Sequence, residues 1–135
     1  MHKHDLISYL TGIGTASVFS TKIKCEVISY ENDLRKKGSS CAVFVTGHES
    51  LEVNHRHITR LYRAFRKGEI SLSALAYIAD AITMDEGFTF TNEISKDIAH
   101  EFSELGAREK ISDKDLNELD MRILNERIGE KGQIS

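Results

Sequence analysis

The reading of the fold turns on Ile58-Thr59-Arg60-Leu61-Tyr62-Arg63-Ala64-Phe65-Arg66-Lys67-Gly68-Glu69-Ile70-Ser71. Ile58, Leu61, Tyr62 and Phe65 recur at i, i+3, i+4 and i+7, which gathers them on one side of a helix. Arg56, Arg60, Arg63 and Lys67 take up much of the other side. Gly68 is placed to end that helix, because glycine accepts the left-handed conformation that follows a last turn. Ser71 then offers a side-chain oxygen to the first free amides of a second helix. The spacing predicts helices over 55–67 and from 72 to about Met84.

Working outward toward the C-terminus, Leu72, Leu75, Ala76, Ala79 and Ile82 keep the helical period, and Asp85-Glu86-Gly87 breaks it. Thr91 or Asn92 is placed to cap a third helix with the stripe Ile94, Ile98, Phe102 and Leu105, ended by Gly106. Ser112 followed by Asp115 resembles a capping box, with Asp in place of Glu. A fourth helix is expected through Leu116, Leu119, Ile123 and Leu124 to Ile128, stopped by Gly129, with 130–135 a frayed tail. Leu61, Phe65, Leu75, Ile98, Phe102 and Ile123 are the expected core.

Toward the N-terminus two periods compete. Leu6, Ile7 and Leu10 suggest a short helix that ends near Gly12 or Gly14. Phe19, Ile23, Val27, Tyr30 and Leu34 fit a helix across 15–37, whereas Ile23, Cys25 and Val27 alternating with Lys22, Lys24 and Glu26 fit a strand. The helical stripe is longer and runs to Gly38, so it is preferred. Cys41–Val45 is a short apolar run, either a strand with Ser50–Val53 as its partner or the core of another helix. The expected architecture is all-α: a single domain over 1–135 built as a bundle of about five to six helices. Its four-helix part is 55–129, and 1–54 is left open. The alternative is α+β with a short hairpin near 41–53.

The composition suits such a domain. A chain of 135 residues with 40% apolar and 29% charged residues can bury a core without staples, which excludes collagen-like, disulfide-scaffold and wholly disordered classes. No apolar run approaches the ~18 residues of a membrane span, and no secretory apolar region follows Met1, so no membrane and a cytoplasmic location are expected. Cys25 and Cys41 are then expected to be free, buried thiols.

The chemistry-bearing patterns are sparse. Gly12-Ile13-Gly14-Thr15-Ala16-Ser17 lacks the third glycine of a dinucleotide fingerprint and reads as a turn. His55 and His57 point about 200° apart on a helix, and neither cysteine sits in a paired spacing, so no metal site is expected and the histidines read as exposed. No nucleophile signature surrounds Cys25 or Cys41. Neither an enzyme nor a cofactor is expected.

Charge is the strongest signal. Residues 1–79 carry a balance of +4, residues 80–120 carry −8, and residues 121–135 carry +1. The acidic block projects a field that attracts a basic partner and repels nucleic acid. Within it, Asp85, Glu86, Glu93, Asp97, Glu101 and Glu104 form the candidate binding row. On the third helix this row is expected to lie about 100° from the apolar stripe and to flank the packed seam. The bases at 56–67 are expected to pair with neighbouring acids. Their alternative use is nucleic-acid binding through Arg56, Arg60 and Arg63.

The segment from Ile58 to Ser71, with its helix, Lys67-Gly68-Glu69-Ile70 break and new helix, resembles small bacterial toxin-immunity proteins. So do Leu75-Ala76-Tyr77-Ile78-Ala79-Asp80-Ala81 and the opening Glu93-Ile94. Those proteins include partners of colicin-like toxins and of contact-dependent growth-inhibition toxins. The resemblance implies a protein that binds the C-terminal domain of one cognate toxin, a basic nuclease in many cases, and blocks its active site or substrate face. A helical adaptor or regulator of another basic protein is the alternative.

Overall fold

The computed structural model describes residues 1–35, 43, 45–106 and 111–134. Among them are seven helices and one two-stranded sheet, so the protein is mostly helical. In order they are α1 (Lys3–Leu10), α2 (Ala16–Lys22), α3 (Lys24–Arg35), β1 (Leu51–Val53), α4 (His55–Arg66), α5 (Leu72–Met84), β2 (Phe88–Phe90), α6 (Glu93–Leu105) and α7 (Asp113–Ile134).

α5 lies at the centre because its sequence is apolar nearly all round. Ala74, Leu75, Ala76, Tyr77, Ile78 and Ala79 are buried without interruption. Ser71 caps it through its hydroxyl, which accepts from the Ala74 amide at 3.1 Å. α6 runs antiparallel beside it. Ser103 donates to Asp80, and Gly106 lies so close to Ala76 that a Cβ at 106 would collide with the Ala76 methyl. α3 covers another side, where the Tyr30 hydroxyl donates to Asp80 at 2.5 Å and the Tyr30 and Tyr77 rings meet edge to face. Asp80 thus ties three helices at one carboxylate.

α4 joins the outer helices. Tyr62 stacks on Phe102 with ring centroids 5.6 Å apart, and its hydroxyl donates to Asp120 of α7 at 2.5 Å. Burial and the Asp120 carboxylate both push the Tyr62 phenol far above its ordinary range, so the proton stays on Tyr62. Asn54 caps α4 in a capping box closed by His57, and Gly68 follows its end at φ +78°.

The structure differs from the sequence expectations in several places. The helix expected across 15–37 is two helices broken at Ile23. Its stripe still holds, since Phe19, Ile23, Val27 and Tyr30 are all buried. The end at Gly38 lies outside the described residues. Leu51–Val53 does form a strand, and its partner among the described residues is a later segment, so the expected pairing with 41–45 falls partly outside the described residues. The strand pairs parallel with Phe88–Phe90, in the register Leu51↔Phe88 and Val53↔Phe90. Parallel strands need a long crossover, and α4 with α5 supplies it. Cys41, Ala42 and Phe44 lie outside the described residues, while Val43 and Val45 pack against the core. Thr46 instead joins the N-terminus, accepting from the Lys3 amide and donating to the Met1 carbonyl. α7 does not stop at Gly129 but continues to Ile134, since a glycine inside a helix costs only about 1 kcal/mol relative to alanine. Phe65 is half-buried, whereas Leu61, Leu75, Ile98, Phe102 and Ile123 are core. Cys25 is exposed, because it faces away from the Val27 and Tyr30 side of α3. His55 and His57 are buried: His57 is turned in by the capping box it closes with Asn54, and His55 lies against the Thr59 hydroxyl.

Candidate protein-binding face

α6 carries the acidic row, and its capping sets the orientation. The Asn92 side chain accepts from the Ser95 amide at 2.9 Å and starts the helix at Glu93. Its buried residues are Ser95, Ile98, Ala99, Phe102 and Leu105. The sequence stripe chose Ile94 in place of Ser95, but Ile94 is 51% exposed and Ser95 is fully buried. Small residues are favoured there because α6 lies close against the alanine-rich α5. This turns the helix from the expected orientation. At about 100° per residue, Glu93, Asp97 and Glu104 fall within an arc of about 40° that points away from the core rather than along the seam.

The six candidate carboxylates separate into two groups. Glu86, Glu93, Asp97 and Glu104 are exposed, and among the described residues no ion pair engages them. Asp85 and Glu101 are held inside the molecule's own structure. Glu101 pairs with Arg122 of α7. Asp85 is half-buried, pairs with the buried ammonium of Lys3 at 2.7 Å and accepts from the Gly87 amide at 2.8 Å. Burial raises its pKa, but Lys3 and the Gly87 amide outweigh that and hold the carboxyl below its ordinary value. Asp85 therefore fastens α1 to the loop after α5. Neither Lys3 nor Arg122 was visible as a partner from sequence, because both contacts join distant segments.

Ile94 is the residue that periodicity misplaced. It stands beside Glu93 and one turn from Asp97, so the acidic face carries an exposed apolar side chain. The alternative stripe Ser95–Ile98–Ala99–Phe102–Leu105 has helical spacing too, and it is the signal that would have located Ile94 on the surface.

The bases of α4 are divided in the same way. Arg60 turns inward and donates to the carbonyls of Tyr9 at 2.6 Å and Gly14 at 2.9 Å, with its guanidinium 5.1 Å from the Tyr9 ring centroid. Arg66 pairs with Asp120 at 3.2 Å. Arg56, Arg63 and Lys67 are exposed.

The histidines serve α4. The Asn54 amide donates to His57 Nδ1 at 3.1 Å, and burial holds the His57 pKa below its ordinary value. His55 Nε2 lies 3.0 Å from the Thr59 hydroxyl. Among the described residues no group of three or more His, Cys, Asp or Glu could hold a metal ion, and no helix is long and apolar enough to cross a membrane. Comparison of the chain with family models, with curated proteins and with solved structures finds no match.

Proposed function

We propose that the protein is an immunity-type inhibitor that binds a basic toxin domain in the cytoplasm of the cell that makes the toxin. The observation that carries this reading is the outward face of α6, with Glu93, Asp97 and Glu104 together in solvent; Glu86 is exposed in the turn between α5 and β2. Nuclease domains are basic because they hold phosphate backbones, so a row of fixed carboxylates presents them with a competing anion. Such a face speeds encounter, and Ile94 adds an apolar contact that resists dissociation once the water is expelled. Asp85 and Glu101 are engaged within the chain by Lys3 and Arg122, so the row offered to the partner is Glu93, Asp97 and Glu104. Nucleic-acid binding through Arg56, Arg60 and Arg63 is less favoured, because Arg60 is committed to Tyr9 and Gly14, which leaves Arg56 and Arg63 alone, and the exposed carboxylates of α6 repel phosphate.

The test is protection. Cells expressing the cognate toxin domain would be rescued by the wild-type chain and by Cys25→Ser. They would not be rescued by a folded Glu93→Lys, Asp97→Lys, Glu104→Lys variant. Full protection by that triple variant removes α6 from the interface.

A further inference from the structure

The exposed bases of α4 have no use in the reading above, and their arrangement matches the acids of α6. Arg56, Arg63 and Lys67 are all exposed, and at about 100° per residue they lie within an arc of about 40°. Arg60 belongs to the same row but is turned back onto the carbonyls of Tyr9 and Gly14. From Arg56 the row steps seven residues to Arg63 and four to Lys67. From Glu104 the α6 row steps back seven residues to Asp97 and four to Glu93. Each row is about 16 Å long at about 1.5 Å per residue. Laid antiparallel, Arg56 meets Glu104, Arg63 meets Asp97 and Lys67 meets Glu93, with no residue left out of step.

The helix dipoles favour the same arrangement. Arg56 sits at the positive end of its own helix and Glu104 at the negative end of its own, which is the unfavourable placement for both. Each would find its compensating charge on the other helix. Lys67 and Glu93 stand at dipole-favoured ends and would also face each other. Within one chain the two rows cannot meet, because both point into solvent while the opposite sides of the helices join through Tyr62 and Phe102.

We infer that the protein self-associates, the Arg56–Arg63–Lys67 row of one copy docking antiparallel on the Glu93–Asp97–Glu104 row of a second copy. The contact is heterologous, since two different patches meet. It occupies the face assigned above to the toxin, so a second copy and a toxin domain compete for α6. The self-association does not depend on the toxin reading: Arg63 lies only in the self-contact, whereas Asp97 lies in both.

Sedimentation velocity of the purified chain over a concentration series tests this, at about 0.01 M and about 1 M salt, where the screening lengths are about 30 Å and 3 Å. The wild type should exceed monomer mass at low salt and return to monomer at high salt. Arg63→Glu alone and Asp97→Lys alone should each weaken association at least about tenfold, because each places like charges opposite one another. An equimolar mixture of the two, or the double variant, should recover it, because the carboxylate introduced at position 63 then faces the ammonium introduced at position 97. Both positions are exposed, so circular dichroism should report unchanged helix content in every variant. A wild type that stays monomeric at low salt, or single variants that associate like the wild type, would overturn the inference. Loss of self-association in Arg63→Glu with toxin binding retained separates this contact from the toxin interface.

Discussion

His57 is buried and must stay neutral, because its Nδ1 accepts the Asn54 amide and has no place for a second proton. Burial sets its folded pKa below the unfolded value of about 6.5. Between those two values the unfolded chain binds more protons, so stability rises with pH through this window. The contribution is complete above about pH 6.5 and is lost as pH falls through the folded pKa. Urea melts at about pH 5 and pH 7 should therefore show the lower stability at pH 5. His57→Gln keeps a capping-box acceptor without a titrating group and should flatten the difference. An unchanged pH slope in His57→Gln would place the titration elsewhere. Gly106 gives a second residue-scale test. Its backbone dihedrals suit any residue, and what excludes a side chain is the Ala76 methyl. Gly106→Ala should lose about 1–3 kcal/mol by overpacking, and Ala76→Gly in the same chain should return part of that loss in a double-mutant cycle. Additive losses would mean that the two positions do not touch.

At the scale of elements, α4 and α5 were legible because their apolar residues repeat at helical spacing and Asn54, Gly68 and Ser71 mark their ends. α6 was legible as a helix but not as an orientation. Hydropathy prefers Ile94 to Ser95, while close packing on α5 selects the smaller side chain. Phe88-Thr89-Phe90 gave no strand signal, because three residues cannot show a period and their partner lies on the far side of two helices. The break at Ile23 was equally silent, since the buried stripe runs straight through it. The two orientations of α6 predict different mutational costs. Phe102→Ala should cost about 3–5 kcal/mol as a large-to-small core truncation. Ile94→Ala should stay within about 0.5 kcal/mol of wild type, as an exposed position does. A core-sized loss for Ile94→Ala in urea melts would restore the orientation read from sequence.

At the scale of the whole molecule, the charge asymmetry was legible as a count but not as a surface. The balance of −8 over residues 80–120 includes Asp80, Asp85, Glu101 and Asp120, and all four are spent on internal contacts. Among the described residues, Glu86, the outward face of α6, and Asp113 and Glu118 of α7 stay exposed, and the binding claim rests on the α6 face, where three acids share one side. Steering by such a face acts on the encounter and fades with salt, whereas an apolar contact such as Ile94 acts on dissociation. The most direct measurement is stopped-flow association of a basic toxin domain that the protein is proposed to neutralise with the wild type and with Glu93→Lys, Asp97→Lys, at about 0.01 M and about 1 M salt. The account predicts an association rate at least about tenfold lower for the variant at low salt and nearly equal rates at high salt, with the variant still folded. Equal association rates at both salts would contradict it and leave the acidic face of α6 a solvated surface.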